Sequence, residues 1–462
     1  MIDWPPSTVR PASARAAEDE IIEVHHVSGA SSQSVSPPAA IAEAMGHIYR
    51  RGMTTTSGGN ISVRDDSGAI WITPSQIDKG RLTAQDIACV KPGGHLEGRH
   101  KPSSEFPAHR QIYEARQDLR AIVHAHSTAL VAFSICHEVP DTAVLPEIRD
   151  LCGEVGYAPY EKSGSEALGR RIMFVFADGH DCVMLENHGA VVAAPGLDLA
   201  LRRFEALELT AQMLIQARMI GDVGAERPGQ ESRLANAGPG PDQIERRPLD
   251  DREAATGREF CEFARRCYRQ RLTISGGGAF SARLNERAFI ITRGGADWRR
   301  LGTDDLVRVD DRIGTSPPSS DRVALVHEAI YRRHPRIGAI VTVAPPHATA
   351  FAVTGQPLDS RIMFESCLFL RDIVRVSGDV RAQDPAHIAA LVGPNRPASL
   401  IEREGALVVG ASIFEAFDRL EVLDATAAAA LAGRGVGRII PLTDRMIGPL
   451  PGDTPGRRQA PP

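Results

Sequence analysis

Apolar positions along this chain fall into short strand-like runs and longer helical ones, and the two kinds succeed each other in a set order. From Pro38, the residues Ile41, Met45 and Ile48 recur at helical spacing and stop at Arg50-Arg51-Gly52. Strand-like runs follow at Ile61 to Arg64 and at Ala69 to Thr73. Phe106 to Arg116 reads as a helix, with Ser103 or Ser104 as its cap and Glu105 in the first turn, where the dipole favours a carboxylate. The run Ala121-Ile122-Val123-His124-Ala125-His126 predicts a strand that presents both imidazoles on one face, because side chains alternate with period two. An apolar helix, Thr128 to Ile135, comes next. Asp181 to Glu186 is a buried-strand pattern, Asn187-His188-Gly189 a hairpin-like turn, and Ala190-Val191-Val192 a returning strand. A long amphipathic helix, Leu199 to Met219, closes the unit.

The landmarks then come round again. Ser275-Gly276-Gly277-Gly278-Ala279-Phe280-Ser281-Ala282-Arg283 echoes Ser57-Gly58-Gly59-Asn60-Ile61-Ser62-Val63-Arg64 with one residue inserted. Asp78 recurs as Asp297, displaced by 219, and Ala121-Ile122-Val123 as Ala339-Ile340-Val341, displaced by 218. Pro102-Ser103-Ser104-Glu105 recurs as Pro318-Ser319-Ser320-Asp321, displaced by 216. A near-constant displacement through landmarks in one order predicts a tandem duplication. Opposite His124 and His126 stand Thr342 and Ala344, and opposite His188-Gly189 stand Glu404-Gly405, so only the first copy can assemble three imidazoles. The expected organisation is a Pro/Ser/Ala-rich arm at 1–37 with His25-His26 solvated in it, a metal-binding domain at 38–221, a Gly/Pro/Glu/Arg-rich linker at 222–251, a degenerate domain at 252–450 and a tail at 451–462. Gly433 to Gly437 lacks the spacing of a dinucleotide loop and reads as a flexible turn after a helix.

Composition narrows the partners. Of 462 residues 42% are hydrophobic and 24% charged, and the formal net charge is −5, so no basic excess recruits nucleic acid. No run of about 18 apolar residues predicts a membrane span, and the start lacks a signal-peptide pattern. Seven scattered cysteines without a Cys-x-x-Cys pair encode neither a disulfide framework nor a zinc knuckle; Cys261 and Cys267 read as buried thiols, and a reducing cytoplasm is the expected compartment.

Three neutral imidazoles leave a divalent metal its charge and open coordination positions, which is the pattern of a catalytic site. Zinc is the default ion, with Mn2+ and Co2+ as alternatives. Such an ion can chelate adjacent substrate oxygens and stabilise an enediolate, and Glu105 is the candidate acid/base, also able to reach the metal as a fourth ligand. Ser103, Ser104 and the Gly58-Gly59-Asn60 turn would supply donors to an anionic group.

Ser-Gly-Gly-Asn at 57–60, Ile-Thr-Pro-Ser at 72–75, Lys-Pro-Ser-Ser-Glu at 101–105, His-Ala-His at 124–126, Ala-Pro-Tyr at 158–160 and Asn-His-Gly at 187–189 together resemble the class II aldolase/adducin family. The resemblance covers roughly Ala40 to Gly221 and, more faintly, the second half. It implies an α/β fold of two tandem three-layer α/β/α domains, each on a largely antiparallel sheet. It implies His124, His126 and His188 as metal ligands with Glu105 as acid/base and possible ligand, and Gly59, Asn60, Ser75, Ser103 and Ser104 as substrate-binding positions. The activity it implies is a metal-dependent aldolase acting on a small ketose phosphate or hydroxylated keto acid. A decarboxylase or dehydratase of a related substrate is the alternative, and an adducin-like interaction protein the alternative of another class. Two departures stand out: Gln76 replaces a usual Gly in the phosphate pocket, and Val144-Leu145-Pro146-Glu147 stands where fuculose-phosphate-type aldolases place a Tyr that protonates the leaving aldehyde. Tyr157 and Tyr160 lie further on. The implied assembly is a four-fold ring with sites at domain interfaces, which two duplicated chains would close as a homodimer.

Overall fold

A computed structural model describes residues 36–223, 249–310, 322–376 and 384–448. Most of the arm, the linker and the tail, and the Pro318-Ser319-Ser320-Asp321 landmark, lie outside the described residues.

The first half opens with helix α1 (Pro37–Arg50), whose predicted stripe of Ile41, Met45 and Ile48 is fully buried. Each such side chain contributes about 1.5–3 kcal/mol by leaving water. Strands β1 (Asn60–Arg64), β2 (Ile70–Ile72), β3 (Ala88–Val90) and β4 (Leu96–Glu97) form an antiparallel meander. Helix α2 (Phe106–Ala115) leads into β5 (Ala121–Ala125), followed by α3 (Thr128–Ile135), α4 (Pro146–Cys152), β6 (Val155–Ala158) and α5 (Glu166–Ala177). Strands β7 (Cys182–Leu185) and β8 (Gly189–Ala194) close the sheet, and α6 (Leu197–Arg218) ends this half. The sheet order is β4-β3-β2-β1-β5-β8-β7-β6, antiparallel except for the β6–β7 pair.

The second half runs through α7 (Asp251–Arg269), β9 (Ala279–Asn285), β10 (Ala288–Thr292), β11 (Leu306–Asp310), α8 (Arg322–Arg333), β12 (Ala339–Val343), α9 (Pro346–Thr354) and α10 (Phe364–Phe369). It continues with β13 (Val374–Val376), α11 (Pro385–Leu391), β14 (Ala398–Ile401), β15 (Gly405–Gly410) and α12 (Ile413–Val436). Its sheet order, β11-β10-β9-β12-β15-β14-β13, repeats the first once β4 is set aside, and its one parallel pair, β13–β14, sits at the same edge. Register repeats as well: Asn60 pairs with His124, and Ala279 pairs with Thr342. The two halves are thus tandem mixed α/β domains on largely antiparallel sheets.

Strand alternation sets the layers. Ala121, Val123 and Ala125 face one core together with α1, α3 and α6, while Ile122 faces a second core under α2 and α5. The first of these cores runs on without a break into α7, α9 and α12 of the second half, and α6 packs along α9. A buried polar cluster reinforces the seam: the Glu205 carboxylate, 1% exposed, accepts from Tyr268 Oη at 2.5 Å and lies 2.7 Å from His47 Nε2 and 3.5 Å from Arg51 Nε. Burial works against its charge, but the His47 hydrogen bond and the Arg51 cation lower its pKa.

The structure corrects one reading of the sequence here. Gly433 to Val436 is not a flexible turn but the last turn of α12, with Gly437 as its cap. The Ala-rich run before it carries the helix through both glycines, each costing only about 1 kcal/mol relative to Ala. Cys261 and Cys267 are buried thiols, and no cysteine is in a disulfide. No helix among the described residues is long and apolar enough to cross a membrane.

Candidate metal centre

His124 lies on β5 with its ring on the α2 side of the sheet, 1% exposed. Its Nδ1 is 2.9 Å from Ala190 O on β8, a carbonyl that can only accept, so Nδ1 carries a proton and Nε2 points into the site. His126 stands just past the strand end, where the chain is pinned by Glu208 of α6. That carboxylate accepts from Ser127 Oγ at 2.6 Å and from the Leu130 N–H at 3.2 Å, capping α3. His188 sits in the β7–β8 turn as expected, between Asn187 (φ 53°) and Gly189 (φ 155°). A Cβ on Gly189 would meet Ala125 O at 2.7 Å, so the turn can approach β5 only with glycine there. Ser134 fixes the turn by accepting from the His188 N–H at 2.8 Å while donating to Leu185 O at 2.7 Å.

The three rings converge. Their centroids are 4.7–4.9 Å apart, and one ligand nitrogen from each lies within 4.8 Å of the others. His124 Nε2 and His126 Nε2 are 3.1 Å apart, an approach of two ring nitrogens toward one point. Burial, and then the positive charge at His124, push His126 down to about 3 and His188 down to about 4, keeping both imidazoles neutral. His124 shifts the other way: burial lowers its pKa, but the Glu105 carboxylate raises it more. A cation taken up here would displace that proton. The donor set of three nitrogens from neutral or readily deprotonated imidazoles, with a carboxylate beside them, fits a divalent metal.

Glu105 is at the N-cap of α2 rather than in its first turn, and neither Ser103 nor Ser104 caps the helix by side chain. Ser103 Oγ instead accepts from the Glu105 N–H at 3.3 Å, and Ser103 O from the Phe106 N–H at 3.0 Å. The consequence is a carboxylate aimed back over the sheet. Its Oε2 is 3.1 Å from His124 Nε2 and accepts from Asn60 Nδ2 at 2.7 Å; its Oε1 is 3.4 Å from His188 Nε2 and accepts from Ser163 Oγ at 2.6 Å. Burial opposes its charge, yet the charge and hydrogen bond of His124, the Ser163 hydroxyl and His188 hold it far below the usual carboxylate range.

The remaining predicted residues frame one side. Gly59 has φ 69°, and a Cβ there would lie 2.6 Å from His124 O, so the turn before β1 is pressed onto β5. The 72–75 and 101–105 segments run side by side through Ser75 N–H to Lys101 O (3.1 Å) and Ser103 N–H to Thr73 O (3.1 Å). Ser103 is buried, Ser75 half-buried and Ser104 exposed. Gln76 holds φ 59°, the left-handed conformation that glycine adopts freely. Beneath this loop Lys79, 2% exposed, donates to Pro74 O at 2.5 Å, and burial pushes its ammonium down to about 8.

Val144 to Glu147, the segment that would have to carry the phenol, packs against the second half: Glu147 Oε1 accepts from the Gly278 N–H at 3.3 Å. Tyr160 is 64% exposed, its own N–H bonded to Glu186. The void bounded by Glu105, His109, His124 and Leu168 holds only about 10 Å³, room for one water at most. In the second half His347 lies in the first turn of α9, where Asp424 accepts from its N–H at 3.1 Å and lies 2.8 Å from its Nδ1, and it rebuilds no triad. Ser134, Ser163, Lys79 and His109 belong to the site's surroundings but carry no sequence signal. Their partners lie 5 to 58 residues away, and only the His124/His126 spacing has a local one.

Over 180 residues the chain is 34% identical to the 3-oxo-tetronate 4-phosphate decarboxylase of Pectobacterium atrosepticum, covering 38% of this chain and 80% of that protein. Over 166 residues it is 32% identical to the L-fuculose phosphate aldolase of Methanococcus maripaludis, covering 36% of this chain and 89% of that one. Among solved structures it matches L-fuculose-1-phosphate aldolase from Thermus thermophilus with TM-score 0.36, at 27% identity over 41% of this chain and 97% of the other. The family model for the class II aldolase and adducin N-terminal domain matches twice, at residues 39–215 and 258–431. The chain is therefore a member of the class II aldolase and adducin N-terminal domain family, carrying two copies of the domain.

Proposed function

We propose that the first half is a metal-dependent lyase that cleaves a carbon–carbon bond beside a carbonyl in a small ketose phosphate or hydroxylated keto acid. The observation that carries this reading is the convergence of His124, His126 and His188 on the Glu105 carboxylate. The three imidazoles would hold the ion, Zn2+ by default, with Glu105 able to join them or stand free. A bound divalent ion supplies Lewis acidity to adjacent substrate oxygens. Glu105 does the proton work: when the bond breaks, its electron pair is left beside the carbonyl as an enediolate, and Glu105 moves the proton to or from that carbon. Asn60, through the same Nδ2 that meets Glu105, and Gly59, Ser75, Ser103 and Ser104 present a rim of neutral donors to the substrate's anionic group, with the Lys79 charge beneath it.

A second reading, decarboxylation of a β-keto acid phosphate, is favoured by one observation. The segment at Glu147 is engaged with Gly278 and offers no phenol to exchange the proton of the hydroxyl that becomes the aldehyde oxygen. Decarboxylation releases CO2 and needs no such group. Dehydration of a related ketose phosphate is a third outcome for the same residues. The assembly that accompanies the reading is a homodimer closing a pseudo-four-fold ring.

The test is turnover of ketose phosphates and 3-keto acid phosphates by metal-loaded protein, monitored for aldehyde, CO2 and water loss. Aldehyde release abolished by Glu105→Gln supports the aldolase. CO2 without aldehyde selects the decarboxylase, and full activity of metal-free wild type sinks all three.

A further inference from the structure

Behind Asn60 and Glu105 lies a buried side chain that the proposed chemistry does not use. His109, on α2, is 2% exposed; its Nε2 lies 2.5 Å from Asn60 Oδ1 and its Nδ1 2.7 Å from Ser62 Oγ. The proton order along this chain follows from its charged end. An ionised carboxylate only accepts, so Asn60 turns Nδ2 toward Glu105 Oε2. Asn60 Oδ1 then faces His109, and an amide oxygen cannot donate, so His109 carries its proton on Nε2. Its Nδ1 accepts in turn from the Ser62 hydroxyl, which lies 2.8 Å from Tyr113 Oη.

The second half supplies an internal comparison. His327 occupies the matching place on α8, with Nδ1 2.8 Å from Ser281 Oγ, itself 2.8 Å from Tyr331 Oη. The serine–histidine–tyrosine end is therefore common to both domains. The other end differs: His327 Nε2 meets Thr342 Oγ1 at 2.9 Å, in the half where Ala279 replaces Asn60 and offers no amide. Beside the imidazole cluster the buried histidine reaches on to an amide and, through it, a carboxylate.

We propose that His109 is a positioning residue for Glu105: its Nε2–H fixes the Asn60 amide so that Nδ2 holds the carboxylate beside the three imidazoles. This rests on Glu105 being the proton carrier of the proposed lyase. Two measurements test it, one independent of turnover. Nitrogen-15 NMR of histidine-labelled protein, with the resonance assigned by its loss in His109→Gln, should show the Nε2–H tautomer; an Nδ1–H tautomer overturns the proposal. For kinetics, His109→Asn keeps an amide at Ser62 but cannot reach Asn60, whereas His109→Gln does the reverse. Misplacing a proton carrier by about 1 Å costs about 100-fold, so His109→Asn should lose about that much kcat with KM within about threefold and metal content unchanged. His109→Gln should keep kcat within about fivefold, and His327→Asn should match His109→Asn in lost thermal stability while leaving kcat alone. Equal kcat losses in His109→Asn and His327→Asn, or His109→Gln falling as far as His109→Asn, would show a structural role only. Should wild type turn over nothing, the lyase reading fails, and the tautomer still decides where the Asn60 amide points.

Discussion

At the scale of single residues, the site depends on groups whose charge burial has already decided. His126 and His188 are neutral because burial and the His124 charge depress them, so they offer lone pairs without a proton to shed. About one divalent ion per chain is expected by elemental analysis of metal-loaded protein, and His188→Ala should release it on dialysis; equal metal in both proteins would exclude the cluster as the site. Lys79 is the converse case, a cation held where its charge is disfavoured. Its folded pKa of about 8 lies below the 10.5 of the unfolded chain, so between those values the unfolded state binds more protons and folding stability rises with pH. Relative to Lys79→Met, wild type should therefore gain about 3 kcal/mol between neutral pH and about pH 10.5, read from urea unfolding curves. A difference independent of pH would mean that the ammonium is solvated. How much of this is legible in the sequence varies with residue type. The parity of His124 and His126 is written in a strand position and the residue just past the strand's end, and His188 follows from the turn residues on either side of it. Ser163 is not legible: it is one polar residue in a polar loop, and its contact with Glu105 spans 58 positions.

At the scale of elements, the site is a junction of turns pressed onto β5. Gly59 before β1 and Gly189 at the start of β8 approach β5 from its two neighbouring strands, each with a positive φ and each where an added Cβ would collide with a β5 carbonyl. Gly59→Ala should cost about 1–3 kcal/mol and weaken metal binding, because a Cβ there collides with His124 O and must displace the strand that carries His124 and leads into His126. Calorimetric melting with and without metal checks this: the destabilisation should be larger in the metal-loaded protein, and an equal loss in both would confine the strain to the turn. The segments predicted for the first half match the structure to within about two residues because each carries its own period, whereas β3, β4, α4, β6 and α5 have no predicted counterpart. Two details do not. Glu105 sits at the cap because the chain bends at Ser103, a bend set by the pairing of 72–75 with 101–105 and invisible to local pattern. The glycines at 433 and 435 look like a break, yet α12 is held by its buried face and outlasts them. Sheet order is out of reach of periodicity altogether, since strand pairing is fixed by contacts far apart in sequence.

At the scale of the whole molecule, the contact between the halves gives the proposed homodimer a specific form: a contact between chains that repeats it. The first half grips the second with Glu147 on the Gly278 N–H, the Ala143 carbonyl on Arg403 Nη2 (2.6 Å), Arg202 on Ser275 O (2.9 Å) and Asp198 on Arg299 (2.7 Å). The gripped positions Ser275, Gly278 and Arg403 correspond, through the repeat, to Ser57, the Gly59-Asn60 turn and Asn187, which form the rim of the imidazole cluster. The gripping positions correspond to Glu365, Arg361, Asp418 and Phe414. On that second-half surface Phe364 is 54% and Phe414 63% exposed, two aromatic side chains left in water at the place where the first half makes its grip. On the proposed assembly, a partner chain's second half would cover that rim, and two chains would close with two equivalent contacts. Light scattering should give about twice the chain mass of 49.8 kDa, and a Phe364→Glu/Phe414→Glu variant should fall to the monomer mass with its metal retained and its turnover lost. Because each site would be built from two chains, mixing that variant with His188→Ala, each inactive alone, should restore activity: the mixed dimer pairs the intact imidazole cluster of one chain with the intact second half of the other. Wild type that is monomeric and fully active, or two inactive variants that stay inactive while forming mixed dimers, would show that the first half needs no partner to complete its site.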